Sequence, residues 1–361
     1  MYYVDFNTIK YPFPALADGG IDDLARKSEN EITVNLFEFL RQNNVILDIK
    51  HQGRFFTFLI YSLSMAICSG TLNKITSESK IAIYDEENYA LLNNRELGKK
   101  IKLNYDYYTT HEENEKNITM PYFMHPEVYC SGMYKIIKDM RNNQKIIRLL
   151  FAGTYNEKLY TESFHFKMLN RIQILDTIQE YHKDNLEVVR NRPALELLLT
   201  KNSLPDILFI ISENTINTIL KGYILEPKEL FYFYSRSNFV LCPPGVEIPH
   251  CHNVIEAMSV GAIPVLNYAE FFSPPLEHMK NCVSFKTKEE LILRIHEIRR
   301  LSQFKIDELH KNVINYYEQY LTPERFAERI INSHENELIV FANDEGTSAK
   351  YVEQNHGNVM V

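Results

Sequence analysis

The sequence lacks the marks of a disulfide-stabilised protein. It has only five cysteines and no Cys-x-x-Cys pair, and the five are scattered along the chain: Cys68, Cys130, Cys242, Cys251 and Cys282. An odd number of scattered cysteines is typical of free thiols in a reducing compartment. The start of the chain also lacks a basic segment followed by an apolar one, so no secretory signal is expected. These absences favour a cytosolic protein.

An excess of positive charge is also absent. The chain carries 39 Lys and Arg against 47 Asp and Glu, a net charge of −8. Because a protein that grips nucleic acid needs a basic surface, nucleic acid is not expected as a partner.

No apolar run is long enough to cross a membrane. The most apolar stretch, Phe55 to Cys68, is interrupted by Thr57, Ser62 and Ser64 and is shorter than the roughly 20 residues that a spanning helix needs. A buried helix is therefore predicted here.

The hydrophobic pattern of the 361 residues predicts about two α/β domains. In the first part, Val45 to Ile49 and Lys80 to Tyr84 read as strands on either side of the apolar helix. The polar run from Arg141 to Lys145 is the best candidate for a boundary. We predict an N-terminal domain over 1–145, a C-terminal domain over 146–340 and a mobile polar tail over 341–361.

A second alternation of strands and helices follows the boundary. The predicted strands are Ile146 to Ala152, Asp206 to Ile211, Asn238 to Cys242, Ile263 to Leu266 and Cys282 to Phe285, and the predicted helices are Phe164 to Tyr181, Pro227 to Ser235, Asn253 to Val260 and Glu289 to Leu301. Strand, helix and strand in this rhythm indicate a parallel sheet with right-handed crossovers. Two Rossmann-like halves are expected.

The segment from Asn238 to Leu266 is the most informative about function. A strand ends in a Pro-Pro-Gly turn, a polar loop follows, and a helix begins near Asn253. Helix starts have free backbone N–H groups and partial positive charge, and open parallel sheets bind ligands at the carboxyl ends of their strands. The loop is therefore a suitable place to hold a phosphate.

This segment resembles the donor-binding half of GT-B glycosyltransferases, and among them it looks like exostosin-type and related bacterial polysaccharide transferases. The resemblance rests on a strand, CPxG, a polar loop, a helix with EA, and GxIPV. The matching residues are Cys242, Pro243, Gly245, Glu256, Ala257, Gly261, Ile263, Pro264 and Val265. It implies two facing Rossmann-like domains with the active site in a cleft between them, a nucleotide-sugar donor and no obligatory metal. It also implies that Glu256 holds hydroxyls of the ribose or of the donor sugar.

Two departures from the family pattern affect the site. The family loop commonly places Ser and Arg before the helix, where this chain has His250, Cys251, His252 and Asn253. Glu247 and Glu256 are nine positions apart, one more than in the E-x7-E pattern of many retaining enzymes. The missing positive charge could come from His252, Arg148 or Arg236.

Further residues are candidates for ligand contact by their place at a strand end or in a loop. The predicted substrate-binding residues are Gly19, Gly20, Arg148, Gly153, Thr154, Arg236, Pro244, Gly245, Glu247, His250, His252, Asn253 and Glu256. For Gly153 and Thr154 a plain turn is an equal alternative, as is a surface turn for Gly19 and Gly20.

Transfer to a hydroxyl benefits from a general base. Asp18, Asp85 and His125 are the predicted catalytic residues, with His111 as a further candidate, because each lies at a strand end or in a loop. The tyrosines Tyr105, Tyr107 and Tyr108 could stack on a sugar. The His250-Cys251-His252 triplet contains zinc-ligand types, but adjacent residues rarely point at one ion, so no metal is expected.

We therefore expect a metal-independent glycosyltransferase, inverting by resemblance, that transfers a sugar to a polysaccharide, lipopolysaccharide or glycolipid precursor. Two alternatives stay open: a GT-B-shaped nucleotide-sugar epimerase or hydrolase, and a non-catalytic sugar-binding or assembly subunit. A peripheral location at the inner face of a membrane would suit a lipid-linked acceptor, although no amphipathic anchor is visible in the sequence.

Overall fold

The computed structural model describes residues 38–344, except 52, 71, 73–78, 107–113, 163–165, 201–203 and 213–224, together with Ser348. Its strands are β1 Val45–Asp48, β2 Lys80–Tyr84, β3 Leu97–Asn104, β4 Asn117–Thr119, β5 Ile147–Thr154, β6 Leu186–Val189, β7 Ile207–Ser212, β8 Ser237–Leu241, β9 Ile263–Leu266, β10 Val283–Ser284 and β11 Glu337–Phe341. Its helices are α1 Phe55–Cys68, α2 Tyr89–Leu92, α3 Pro126–Cys130, α4 Ile137–Met140, α5 Glu157–Glu162, α6 Arg171–Tyr181, α7 Arg192–Leu199, α8 Pro227–Ser235, α9 His252–Ser259, α10 Lys288–Arg300, α11 Gln303–Tyr316 and α12 Pro323–Asn332.

The first compact unit contains the described residues up to Tyr134 and those from Glu318 onward. Its sheet has the strand order β1-β2-β3-β11-β4, and every pair is parallel. Helix α1 is buried along nearly its whole length, and the ring of its Phe58 lies 5.6 Å from the ring of Phe326 on α12. The apolar run that could not span a membrane is thus a core helix, as predicted.

The last strand of the described residues returns to the first sheet. β11 lies between β3 and β4, and the buried Lys99 of β3 donates hydrogen bonds to the carbonyls of Ile330 and Ser333, at 2.9 and 2.8 Å, where α12 ends. The ammonium satisfies helix-end carbonyls that would otherwise lack partners. These two hydrogen bonds connect the end of α12, which leads into β11, to β3 of the first sheet.

The structure accordingly divides the chain differently from the predicted domains 1–145, 146–340 and 341–361. The division falls between Tyr134 and Lys135, and residues from Glu318 onward return to the first unit. Phe341 ends a central strand, and Ala342, Asn343 and Asp344 after it are buried. Those positions, placed in the predicted tail, are therefore part of the fold. Local patterning cannot reveal such a return, because the partners of β11 are more than 200 positions away in sequence.

The second unit spans residues 135–317. Its sheet has the order β10-β9-β8-β5-β7-β6, again with every pair parallel. Two α/β units with parallel sheets confirm the predicted fold class. Most predicted strands and helices are present within one or two residues. The helix predicted from Phe164 begins only at Arg171, because Asn170 and Gln173 form a capping box there.

Among the described residues, no helix is both long and apolar enough to cross a membrane.

The position of β11 predicts the effect of a core substitution. Leu338 is 2% exposed on this central strand, so Leu338→Ala should lower the free energy of unfolding of the first unit by about 2–5 kcal/mol. Glu337→Ala is the control, because Glu337 is exposed and forms only a surface ion pair with Lys100. Urea unfolding followed by circular dichroism measures both. If both variants unfold at the same urea concentration, the central position of β11 is contradicted.

Candidate functional site

The strand order of the second sheet reverses between β5 and β8. From β5 the chain proceeds to β6 and β7 on one side, and then to β8, β9 and β10 on the other. Parallel sheets bind ligands at such a reversal, beyond the carboxyl ends of the strands. Gly153 and Thr154 end β5 there, and the Pro244-Gly245 turn follows β8. The predicted site loop therefore lies at the switch point of this sheet.

A buried arginine connects the segments at this switch point. Arg171, the first residue of α6, is 5% exposed. Its Nε donates to the Pro244 carbonyl at 3.3 Å, and its Nη2 donates to Cys251 Sγ at 3.3 Å. Its Nη1 donates to the Tyr160 hydroxyl, and its Cζ lies 4.1 Å from the centre of the Tyr160 ring. The guanidinium thus joins α5, α6 and the site loop.

Arg171 has no carboxylate partner in the described part of the chain. Burial by itself lowers the pKa of Arg171, but Tyr160 and Cys251 raise it by more, and the group is charged at any physiological pH. A buried cation is costly unless an opposite charge or good hydrogen bonds compensate it. A hydroxyl, a carbonyl and a sulfur accept from it here, and none of them is a carboxylate, so an anionic ligand is the natural additional partner.

The start of α9 lies beside this guanidinium. Cys251 is the N-cap of α9 and makes no side-chain cap hydrogen bond, so it leaves backbone N–H groups of the first turn to other acceptors. By contrast, α6 is capped by its own Asn170 and Gln173. An incompletely capped helix start next to a buried guanidinium is chemically suited to a phosphate.

Two buried asparagines at the same edge have unused acceptors. Asn253 and Asn267 are 8% and 1% exposed, and the Oδ1 of each finds no hydrogen-bond partner among the described residues. Asn267 follows β9 directly, and its Nδ2 donates to the Leu169 carbonyl at 2.8 Å. These amides are suited to accept from ligand hydroxyls.

Gly245 lets the site loop approach itself closely, and Gly153 lies next to Arg171. A Cβ on Gly245 would lie 2.5 Å from the His250 carbonyl oxygen and 2.7 Å from that of Ile248, so the loop closes on itself only with glycine. A Cβ on Gly153 would lie 3.8 Å from Arg171 Nη1. The Gly153 backbone therefore runs beside the guanidinium.

His250 is a core residue of the loop. It is 4% exposed, its Nε2 lies 3.0 Å from the Phe271 carbonyl, and its ring contacts Tyr268, Phe271 and Phe272. Burial lowers the pKa of His250 to about 4, so the ring is neutral. The predicted triplet His250-Cys251-His252 does not converge, because His250 bonds to Phe271 while Cys251 bonds to Arg171. No group of three potential metal ligands is found in the part of the chain that the structure describes.

Glu256, His252 and Glu247 are further predicted site residues of this segment. Glu256 is 4% exposed on α9, and its charge, after burial, contributes to a raised pKa of Tyr234 on α8. His252 begins α9, and Glu247 lies half-buried in the loop.

Arg148 and Arg236 lie at the other edge of the sheet. Arg148 is the second residue of β5, and Arg236 immediately precedes β8. Strands rise about 3.3 Å per residue, so Arg148 lies roughly 20 Å before the end of β5 at Thr154. Arg236 stacks on Tyr232 instead, with its Cζ 4.8 Å from the ring centre. The structure therefore does not bring these two arginines to the loop, and Arg171 supplies the positive charge there.

The first sheet carries a second polar cluster at its carboxyl edge. Asp85 follows β2 and accepts hydrogen bonds from the backbone N–H groups of Lys50 and His51, the latter at 2.8 Å. It also accepts from the Tyr105 hydroxyl at 3.3 Å, and burial raises the pKa of Tyr105, so this phenol keeps its proton. Asp85, one of the predicted bases, thus holds the loop after β1.

His51 and Asp344 form a close pair in this cluster. His51 Nε2 lies 2.8 Å from Asp344 Oδ2, and the two side chains are 39% and 8% exposed. Tyr105 meets the imidazole edge-on, with ring centres 5.0 Å apart. The structure thus assembles a histidine and a carboxylate from two distant parts of the chain.

His125, another predicted base, caps a helix. Its Nδ1 accepts from the Glu127 N–H at 3.3 Å at the start of α3. Burial, with a smaller contribution from the charge of Arg54, lowers the pKa of His125 to about 4. Asp18, Gly19, Gly20, His111, Tyr107 and Tyr108 lie outside the described residues.

Sequence reasoning missed Arg171, Asn267, His51 and Asp344. The Asn170-x-x-Gln173 capping box was a usable signal, because it moves the helix start to Arg171 and so to the strand-end edge. His51 follows a predicted strand closely and could have been considered for the same reason. No local signal points to Asp344.

Known proteins resemble this chain only distantly. No protein-family description matches the sequence, and no curated protein does. Among solved structures, an OtsA apo structure matches at 9% identity and a TM-score of 0.41, over 75% of this chain and 76% of OtsA. A TarM mutant of S. aureus in complex with fondaparinux, α-GlcNAc-glycerol and UDP matches at 12% and 0.38, over 75% and 59%. An α1,3-fucosyltransferase matches at 12% and 0.36, over 81% and 79%.

The neutral state of His250 predicts a pH dependence of stability. The unfolded chain takes up this proton near pH 6.5, whereas folded His250 takes it up only at about 4. Between these values the unfolded state binds more protons, so the free energy of unfolding falls as pH falls. His250→Gln should make this fall shallower, by up to one proton, in urea titrations from pH 7 to 4. His334→Gln, at an exposed position, is the control, and equal slopes in both variants would contradict the assignment.

Proposed function

We propose that this chain is a glycosyltransferase of the GT-B type, which moves a sugar from a nucleoside-diphosphate sugar to a hydroxyl. The buried guanidinium of Arg171, which has no carboxylate partner in the described residues and lies beside the start of α9, carries the proposal. Sugar nucleotides combine a diphosphate anion with many hydroxyls, and this edge of the second sheet offers groups for both.

The diphosphate would bind to Arg171 and to backbone N–H groups at the start of α9. During transfer, negative charge develops on the leaving diphosphate, and fixed donors in a buried site stabilise it at little reorganisation cost. The Gly245 turn and the Gly153 backbone would let the phosphates approach closely. A guanidinium and a helix start can together do the work of a metal ion, which supports the proposal that no metal is required.

The sugar or ribose hydroxyls would bond to the unused amide oxygens of Asn253 and Asn267. Glu256 would accept from a further hydroxyl, as the family resemblance implies. Its burial on α9 is compatible with this role, because a buried carboxylate needs donors around it. The same resemblance supports inversion at the anomeric carbon.

The acceptor would be a polysaccharide, lipopolysaccharide or glycolipid precursor on the cytosolic side of a membrane. At the amino edge of the second sheet, Ile146 and Tyr232 are 41% and 43% exposed. Arg236 stacks on Tyr232, and its carbonyl accepts from the Ile146 N–H. Exposed apolar side chains next to Lys145 and Arg236 suit an anionic lipid surface. Flotation with anionic vesicles tests this contact, and protein that stays out of the lipid layer contradicts it.

Substitution of Arg171 tests the donor site. Arg171→Lys keeps the charge but loses the fork of donors, and Arg171→Met loses both. We expect Arg171→Met to weaken UDP, GDP, ADP or TDP binding at least 10-fold in calorimetry, and Arg171→Lys to weaken it less. The corresponding nucleoside, which has no phosphate, should bind each variant as it binds the unchanged protein.

Arg148→Ala and Arg236→Ala are the matched controls, because they remove arginines from the opposite edge of the same sheet. Both should bind nucleoside diphosphates as tightly as the unchanged protein. A loss of affinity in either control, with none in Arg171→Met, would place the phosphate site elsewhere. Thermal unfolding of every variant separates lost binding from lost folding.

Turnover distinguishes the alternative functions. Release of nucleoside diphosphate that depends on an added glycoside acceptor supports a transferase. Donor conversion that needs no acceptor favours an epimerase or hydrolase. Binding without any turnover favours a non-catalytic subunit.

A further inference from the structure

The amino edge of the second sheet collects cationic side chains that have no acidic partner. Lys145 lies just before β5, Arg148 is the second residue of β5, and Arg236 immediately precedes β8. The backbone N–H groups of Ile146 and Ile147 both donate to the Arg236 carbonyl, at 2.8 and 3.1 Å, so the start of β5 and the end of α8 lie side by side. In the part of the chain that the structure describes, none of the three cations forms an ion pair.

The two guanidinium groups have buried nitrogens without hydrogen bonds. Arg148 Nη1 and Arg236 Nε are both shielded from solvent, and neither finds an acceptor among the described residues. Arg236 stacks on the ring of Tyr232, but this contact supplies no acceptor in the plane of the guanidinium. Because a buried, charged donor without an acceptor destabilises a fold, these nitrogens point to an acceptor from outside the chain.

A buried amide with an unused acceptor lies opposite one of these arginines. The parallel register of β5 and β8 places Arg148 opposite Asn238, with paired residues before and after them, so the two side chains are on the same face of the sheet. Asn238 is 7% exposed, and its Oδ1 finds no donor among the described residues. An unused charged donor and an unused acceptor therefore face the same side of two paired strands.

Lys145 and His310 lie next to this amide. The Asn238 backbone forms a hydrogen bond with the imidazole of His310 on α11. Burial, with a smaller contribution from the charge of Lys145, lowers the pKa of His310 to about 4, so the ring is neutral. Lys145 Nζ donates to the Val260 carbonyl at 3.3 Å, and burial lowers the pKa of Lys145 to about 8. A bound anion would favour the charged form of this ammonium.

The acidic residue on the other side of Arg148 is already paired. Asp206 immediately precedes β7 and is opposite Arg148 in the register of β5 and β7. Its carboxylate accepts from Arg299 Nε at 2.5 Å, and Arg299 Nη2 donates to Asn185 Oδ1 at 2.7 Å. The described chain therefore supplies no carboxylate contact to Arg148, and a ligand has to bring the negative charge.

We propose that the amino edge of the second sheet binds inorganic phosphate, at a site separate from the switch point. The guanidinium groups of Arg148 and Arg236 bind the phosphate oxygens, and Lys145 adds a third positive charge. Hydrogen phosphate, a form present at neutral pH, carries one P–OH group, which donates to Asn238 Oδ1. Sulfate has a similar shape and charge but no proton to donate, so the amide selects phosphate over sulfate.

Calorimetric titration of the full chain with sodium phosphate, at constant ionic strength, tests the site. Arg148→Ala and Arg236→Ala should each weaken phosphate binding by about 10-fold or more. Arg300→Ala removes an equally charged but exposed arginine from the same unit and should bind phosphate as the unchanged protein does. Equal weakening in all three variants would show only a general attraction between charges and would overturn the proposal, as would a lack of phosphate binding by the unchanged protein.

The role of the amide is tested by comparing two anions. The unchanged protein should bind phosphate more tightly than sulfate, and Asn238→Leu should bind the two anions equally. Retained sulfate binding in Asn238→Leu shows that the variant is folded and that its cations are in place. Equal affinity of the unchanged protein for both anions would contradict hydrogen phosphate as the ligand.

Arg171→Met separates this site from the proposed donor site. Phosphate binding should persist in Arg171→Met and should be weakened when Arg148→Ala is added to it. If phosphate binding is instead lost in Arg171→Met and kept in Arg148→Ala, the amino-edge site is wrong and the proposed function stands. If the unchanged protein binds no nucleoside diphosphate but its phosphate binding depends on Arg148, the proposed function fails and the phosphate site stands.

Vesicles distinguish free phosphate from a lipid headgroup. Phosphatidic acid in phosphatidylcholine vesicles presents a phosphate group on a membrane surface, whereas sodium phosphate should bind the protein without any lipid. If only the phosphatidic acid vesicles bind, and Arg148→Ala abolishes that binding, the ligand is a lipid headgroup and the assignment to inorganic phosphate is overturned.

Discussion

The buried guanidinium of Arg171 determines the local structure of the site in the second unit. It forms hydrogen bonds to three groups that lie far apart in sequence: the Tyr160 hydroxyl, the Pro244 carbonyl and Cys251 Sγ. Hydrogen bonds that involve a charged group contribute about 1.5–3 kcal/mol each. The loop after β8 is therefore held against the start of α6, and the start of α9 is held with it. The same charge that organises this loop is also the group best suited to bind a phosphate.

The loop after β8 is held both by apolar packing and by polar contacts. His250 is neutral and packed among aromatic rings, so it stabilises the loop without adding charge. Gly245 allows the backbone to fold onto the His250 carbonyl. Arg171 approaches the same loop from α6. A loop packed on a neutral histidine and held by one buried cation keeps ligand-binding groups in place, which is the condition for electrostatic stabilisation of a leaving group.

Both units place their candidate functional side chains at the carboxyl edge of a parallel sheet, but the side chains differ in chemistry. In each unit, parallel strands place their following loops at one edge, and the side chains with unusual surroundings are found there. The second unit presents a cation and unused amide oxygens, which suit an anion with hydroxyls. The first unit presents a histidine backed by a carboxylate, which suits proton transfer. Basic residues also occur at the opposite edge of the second sheet, but Arg148 and Arg236 there have no part in the loop. Whether a basic residue lies at the start or at the end of a parallel strand therefore decides whether it is near the site loop, more than the type of residue does.

The sequence by itself determined the elements whose pattern is local. The burial pattern of α1, the short apolar runs of β2 and β9, and the proline start of α8 were all predictable, because each depends on residues within one or two turns or strand lengths. The Asn238 to Leu266 segment was likewise predicted as a candidate site, since a strand end, a glycine turn and a helix start are neighbours in sequence. Strand direction would also have excluded Arg148, which stands near the start of a predicted strand.

Only the tertiary structure decided the rest. The return of β11 to the first sheet depends on contacts such as Lys99 with the end of α12, which join residues more than 200 positions apart. The His51–Asp344 pair spans 293 positions, and the Arg171–Pro244 bond spans 73. The hydrophobic periodicity of a segment predicts which face of a helix or strand is buried. It does not predict which distant helix or strand packs against that face. For this reason the sequence indicated a candidate binding loop, whereas the fold determined which charged side chain contacts that loop and which histidine is paired with a carboxylate.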